Sequence, residues 1–185
     1  MPKEIFKILS VLAFLCVVFT FQNCSNDAKK GKNSAVLDNK QKKECLERAN
    51  KYLVLQEKEA IDKYIENHMI DMVETGTGLR YRVVNQGDGE KIKTGDIVSL
   101  DYEVRLLNDD LLYSSEETGR KIFVSGRGGV ESGLEEAVLN LHKGDEAEII
   151  IPSHLAHGLL GDGDKIPPRT PIFYKVKIID SQVNK

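Results

Sequence analysis

The chain has 185 residues, 41% hydrophobic and 30% charged, which suits one globular domain with extensions and argues against a second full domain. Its formal net charge of −3, without interleaved aromatic and basic residues, argues against nucleic acid as a partner.

The N-terminus reads as a targeting segment. Lys3 and Lys7 make a basic start, and residues 8–21 form an apolar run shorter than the roughly 20 residues a transmembrane helix needs. The run ends at Phe21-Gln22-Asn23-Cys24, which resembles the lipidation site of bacterial lipoproteins. That resemblance implies a signal peptide over residues 1–23 and a lipid on the Cys24 sulfur that anchors the chain to a membrane. Asn23 departs from the Gly, Ala or Ser favoured there. Ser25 stands where an aspartate retains some lipoproteins at the inner membrane, which points to the outer membrane and the periplasm. With Cys16 in the signal and Cys24 blocked, only Cys45 keeps a free thiol, so no internal disulfide framework forms. Cys45 either stays free or joins two copies in an oxidising envelope.

Residues 24–41 are polar with almost nothing apolar, and such a segment cannot repay the entropy of ordering. A flexible tether is expected. Residues 42–71 follow as an N-terminal helix, in which Leu46, Ala49, Leu53, Ala60, Ile61, Tyr64 and Ile65 recur at spacings of three, four and seven. Gln56 and Glu57 interrupt this seam, so it serves equally well to pair two chains or to pack on its own domain.

From Met72 the period becomes alternating, and residues 72–182 form the domain. Leu79, Tyr81 and Val83 alternate with Arg80 and Arg82, and Gly87-Asp88-Gly89 supplies a turn. Val98, Leu100, Tyr102, Val104 and Leu106 then alternate with Ser99, Asp101, Glu103 and Arg105. One face of each strand is expected in the core and the other in water. A short strand over 121–125, a short helix over 133–141, a strand through Ala147, Ile149 and Ile151, and a last strand through Ile172, Tyr174, Val176 and Ile178 complete the pattern. No βαβ alternation occurs, so the class is α+β, an antiparallel sheet holding one helix.

Seven short motifs punctuate this domain in order: Gly87-Asp88-Gly89, Val98-Ser99-Leu100-Asp101-Tyr102, Tyr113-Ser114-Ser115, Gly133-Leu134-Glu135-Glu136-Ala137-Val138, Lys143-Gly144-Asp145, Pro152-Ser153-His154-Leu155-Ala156-His157-Gly158 and Ile166-Pro167-Pro168. Together, over residues 78–180, they resemble the FK506-binding protein (FKBP) family of peptidyl-prolyl isomerases. The resemblance implies a twisted half-barrel sheet wrapped around one short helix. It also links the preceding helix to the extensions through which some envelope members dimerise.

The reaction it implies is rotation about an X-Pro bond. Amide resonance sets a barrier of ~18–20 kcal/mol. The twisted bond is less polar than the planar amide, so a dry apolar cradle disfavours the ground state while hydrogen bonds fix the flanking chain. Neither a cofactor nor a metal is needed. Carried over by position, the family's pocket implies walls from Tyr102, Tyr113, Val130, Ile166 and Tyr174, with Phe123 nearby, and a backbone donor at Glu131. Three positions depart from the pattern. Leu134 replaces the tryptophan that floors the pocket, Ser114 an aspartate, and His157 a tyrosine whose hydroxyl donates to a substrate carbonyl. An imidazole N–H can make the same bond, and it makes activity pH dependent.

His154 and His157 with Asp162 and Asp164 are candidate metal ligands only if a helical turn converges both rings; Asp162-Gly163-Asp164 reads instead as a loop tip. The expected function is isomerisation of proline-containing clients in the bacterial envelope. The alternative is a non-catalytic FKBP-fold module or chaperone in an envelope complex. The lipoprotein signal, helix and altered pocket together are similar to gliding-motility lipoproteins of the Bacteroidetes.

Overall fold

The computed structural model describes residues 38–183. The expected signal peptide, Cys24 and most of the tether lie outside them. The chain divides into two units, one ending at Arg48 and one running from Ala49, and the sheet, core and cavities belong to the second.

Helix α1 spans Asn39–His68. It starts three residues before the expected position, so Asn39, Lys40 and Gln41 are helical rather than tether. The Asp38 carbonyl accepts the Lys42 N–H (3.0 Å), which places an aspartate, a favoured N-cap residue, at the helix start. At the other end Met69 turns left-handed (φ 50°), and the Ile70 N–H closes onto the Ile65 carbonyl (3.1 Å). Among the described residues no helix is long and apolar enough to cross a membrane.

Seven strands form one antiparallel sheet: β1 (Val73–Glu74), β2 (Arg80–Asn85), β3 (Asp96–Arg105), β4 (Leu111–Ser114), β5 (Lys121–Val124), β6 (Glu146–Ile151) and β7 (Ile172–Val183). Their order is β1-β2-β6-β7-β3-β4, with β5 also on β3. Strand β3 is the spine, paired along its length with β7 and, on its other edge, with β5 and then β4. Its expected alternation holds: Val98, Leu100, Tyr102 and Val104 are buried, and the residues between them are half-exposed. A short helix α2 (Ser115–Thr118) follows β4, and α3 (Ser132–Val138) buries Leu134, Ala137 and Val138 against the sheet. Gly133 makes this approach feasible, because a Cβ there would collide with Ile151 Cγ2.

The first turn is fixed from below. Asp145 is fully buried, and its carboxylate accepts the Gly87 N–H (2.7 Å) and the His142 N–H (2.7 Å), so the Gly87-Asp88-Gly89 turn is tied to the start of β6. Charge-assisted bonds of this kind compensate the burial of a carboxylate.

The outer face of the sheet is not uniformly wet. Ile61 and Tyr64 of α1 pack on Ile150 and Phe173 in a second apolar cluster. Arg80, expected on the solvent face, is 4% exposed and bonds Asp62 Oδ1 (2.7 Å) and Glu74 Oε2 (3.2 Å). The helix therefore covers the face opposite the main core, and the end of β6 and the start of β7 are buried on both sides. Of the two roles open to the seam, its second half packs on its own domain. Tyr52, Leu53, Val54 and Leu55, about two turns earlier, remain exposed.

Candidate functional site

A cavity of about 230 Å³ opens between β3, β4, β7, the start of α3 and the loop after β6. It is lined by Tyr102, Val104, Tyr113, Lys121, Glu131, His157, Asp162, Ile166 and Tyr174. Six residues singled out from sequence, Tyr102, Tyr113, Glu131, His157, Ile166 and Tyr174, are thus brought together. Strands β3 and β7 supply Tyr102, Val104 and Tyr174, and the loop before β7 adds Ile166.

The remaining four candidates are not on its wall. Ser114 pairs with Glu103, whereas Tyr113 pairs with Val104. Neighbouring strand residues face opposite sides, so Ser114 lines a groove of about 460 Å³ on the outer face with Asp101, Glu103, Glu146 and Lys177. That groove is larger but walled mostly by charged side chains, a poor receptacle for a prolyl ring. Phe123 and Leu134 are buried core, at 7% and 0% exposure, and Val130 packs half-buried against it. Leu134, expected to leave a wider floor, is fully buried and lines no part of the cavity.

Hydrogen bonds make the cavity more polar than an apolar cradle. The Tyr174 hydroxyl, on a fully buried ring, donates to Glu131 Oε1 (2.8 Å). His157 Nε2 lies 3.4 Å from the same oxygen, and Lys121 Nζ lies 3.5 Å from Oε2. Oε2 is buried without a hydrogen-bond partner. Burial, then the neighbouring Glu131 carboxylate, pushes the Tyr174 hydroxyl far above the usual tyrosine range, so it stays a donor. Lys121 Nζ also sits over the Tyr102 ring, 5.0 Å from its centroid. The Tyr102 hydroxyl is occupied by Thr118 Oγ1 (2.6 Å).

The acidic loop folds inward. The Tyr113 hydroxyl donates to Asp162 Oδ2 (2.5 Å), and Asp162 Oδ1 accepts the N–H groups of Asp164 (2.9 Å) and Ile166 (2.8 Å). The hydrogen bond to Asp162 is the main cause that raises Tyr113 to about 12. Burial would raise Asp162, but the bonds from Tyr113, Asp164 and Ile166 outweigh it and hold the carboxyl at about 2. Asp162 is therefore a wall of the cavity rather than a loop tip.

Three wall residues were missed from sequence. Val104 carried a signal, since it shares the alternation of Tyr102. Lys121 and Asp162 carried none, because a strand terminus and a glycine-flanked loop take their direction from tertiary packing. Glu131 was expected to act through its backbone. Its N–H donates to no group among the described residues, and the side chain enters the cavity as well. The rings of His154 and His157 diverge: His154 Nε2 bonds the Thr77 carbonyl (3.1 Å). Among the described residues no group of three or more His, Cys, Asp or Glu is arranged to hold a metal.

Comparison with known proteins agrees with this architecture. Residues 88–179 match the family described as FKBP-type peptidyl-prolyl cis-trans isomerase. The chain is 32% identical over 167 residues to the probable FKBP-type peptidyl-prolyl cis-trans isomerase FkpA of Neisseria meningitidis serogroup B, covering 78% of this chain and 60% of that one. It is 37% identical over 90 residues to FK506-binding protein 2 of Dictyostelium discoideum, covering 48% of this chain and 68% of the relative. The chain thus spans less than two thirds of the Neisseria relative. The crystal structure of AtFKBP13 superposes with a TM-score of 0.58 at 24% identity, over 60% of this chain and 99% of that one, a likeness of fold.

Proposed function

The chain belongs to the FKBP-type peptidyl-prolyl cis-trans isomerase family, and on that premise we propose that it isomerises X-Pro bonds in client proteins of the bacterial envelope. The observation that carries this is the convergence of Tyr102, Tyr113, His157, Ile166 and Tyr174 on one cavity of about 230 Å³, which Glu131, its N–H unbonded among the described residues, also lines. The prolyl ring enters between Tyr102, Val104, Ile166 and Tyr174. The Glu131 N–H and the His157 ring then hold carbonyls of the flanking chain. No covalent intermediate forms, and the groups needed are walls and donors.

The test is prolyl isomerisation of a short peptide by the full chain in detergent. Wild type should accelerate exchange, and Tyr102→Ala and His157→Phe should each reduce kcat/KM. Tyr102 is nearly buried, so circular dichroism must show that its variant is folded; His157→Phe, on a half-exposed loop, serves if it is not. Unchanged activity in both folded variants would remove the site from the mechanism.

A second reading, docking of proline-containing segments without turnover, is favoured by the charged groups in the cavity, above all the Glu131 carboxylate. Binding of a proline peptide with no acceleration of exchange would select it.

We further assign the chain to the outer membrane, facing the periplasm and held by lipid on Cys24, because an apolar run ending in Phe21-Gln22-Asn23-Cys24 precedes a polar segment. Globally labelled lipid that is lost on Cys24→Ser tests this. Exposed Tyr52, Leu53, Val54 and Leu55 on α1 support a homodimer through that helix, which sedimentation of a Leu53→Glu, Leu55→Glu variant would abolish. The narrower assignment to a gliding-motility complex rests on signal, helix and altered pocket together, and is tested by motility after deletion.

A further inference from the structure

We infer that helix α1 is part of the working site, with Glu57 as a positioning residue for His157; this rests on the isomerase reading. The Ser153 N–H donates to Glu57 Oε1 (2.5 Å) and the Ser153 hydroxyl donates to Oε2 (2.7 Å). One carboxylate thereby takes both donors at the start of the 3-10 turn Ser153–Leu155. Such charge-assisted, two-point contacts fix geometry as well as adding energy.

The consequence passes to the ring through the backbone. Ser153 is buried, and its carbonyl accepts the N–H of Ala156 (3.1 Å) and the N–H of Gly158 (2.7 Å), the two residues that flank His157. The Gly158 carbonyl in turn accepts the Arg169 N–H (2.8 Å), so the same turn anchors the segment that follows Ile166-Pro167-Pro168. Ser153 is the node, and Glu57 is what holds it.

Glu57 can serve as an anchor because α1 is fastened to the domain immediately after that position. Lys58 Nζ pairs with Glu74 Oε1 (2.9 Å) and Asp62 with Arg80 (2.7 Å), and Ile61 and Tyr64 are packed on Ile150 and Phe173. The Tyr64 hydroxyl donates to Asp109 Oδ1 (3.0 Å). The Glu57 that broke the apolar seam of the helix thus faces the domain for a reason the seam does not explain. A residue acting in this way affects the reaction only through the ring it places, and displacement of a positioned group by about 1 Å can cost up to about 10²-fold.

The experiment is a double-mutant cycle on kcat/KM for a proline peptide, in the full chain. Glu57→Ala should lower kcat/KM about tenfold, and Glu57→Gln, which keeps an acceptor for the Ser153 N–H, should stay within about twofold of wild type. In a His157→Phe background Glu57→Ala should cost nothing further, because coupled residues are not additive. An unchanged kcat/KM in Glu57→Ala overturns the inference, as does a further tenfold loss in the His157→Phe background. Should Glu57→Ala fail to fold, Ser153→Ala, which removes only the hydroxyl donor, goes through the same cycle with the same two readings. If wild type isomerises nothing, the isomerase reading falls on its own. The coupling is then judged from the Ala156 and Gly158 amide resonances: shifts in Glu57→Ala restored in Glu57→Gln uphold it, and unmoved resonances overturn it.

Discussion

Replacing Tyr174 and Glu131 singly and together isolates the bond at the centre of the cavity. Tyr174 is fully buried and Glu131 has a side chain 10% exposed, with the hydroxyl donating to Oε1 at 2.8 Å. Tyr174→Phe removes the donor and leaves a carboxylate that already has one orphaned oxygen. A hydrogen bond to a charged group is worth about 1.5–3 kcal/mol, and the lower half of that range applies because Lys121 and His157 stay within 3.5 Å of the carboxylate. Glu131→Val strands the Tyr174 hydroxyl at a cost of about 1–3 kcal/mol. Replacing both partners by apolar groups removes the unsatisfied atom in each case, so the double variant should lose only about 1 kcal/mol. The coupling is therefore roughly 3 kcal/mol. Urea unfolding of all four proteins, with matching m values, measures it. Single losses that simply add, to within about 0.5 kcal/mol, would refute the reasoning.

Other consequences are as direct. Phe173→Ala, at 3% exposure beneath α1, should cost about 3–5 kcal/mol, whereas Ile122→Ala, at 69% exposure, should stay within about 0.5 kcal/mol of wild type; equal losses in urea unfolding would contradict the second apolar layer. Leu134→Trp should destabilise by about 1–3 kcal/mol without raising kcat/KM, since the site is full; a stable and faster variant would show a free floor. Asp162 has its ordinary value of 3.8 lowered to about 2 in the fold, so its stabilising contribution is complete above about pH 4 and is lost as pH falls through about 2. A carboxyl NMR titration should place its midpoint near 2 and move it upward in Tyr113→Phe; a wild-type midpoint at the ordinary value contradicts the assignment.

What could be read from the chain and what could not divide along physical lines. Strand β3 was legible because one face is wet and the other dry, and period two follows directly. The cavity walls from Tyr102, Tyr113, Ile166 and Tyr174 are those the family resemblance implies by position. Ile149-Ile150-Ile151 and Ile172-Phe173-Tyr174 are continuous apolar runs, the mark of strands buried on both faces. Alternation alone points only to alternate members as core, so it does not reveal the layer of α1 over Ile150 and Phe173 or the burial of Arg80. Ser114, expected in the pocket beside Tyr113, faces the other side because adjacent residues of a strand alternate between faces. Glu131, Lys121 and Asp162 reach the cavity through side-chain and loop directions that depend on contacts far along the chain, and no local pattern encodes those.

The claim that this cavity twists X-Pro bonds is tested most directly by two-dimensional exchange NMR of a proline peptide with a catalytic quantity of the isotope-labelled full chain. The account predicts cis-trans exchange cross-peaks at mixing times where the free peptide shows none, together with a peptide-dependent shift of the Glu131 amide. A folded wild-type chain that gives neither would contradict it.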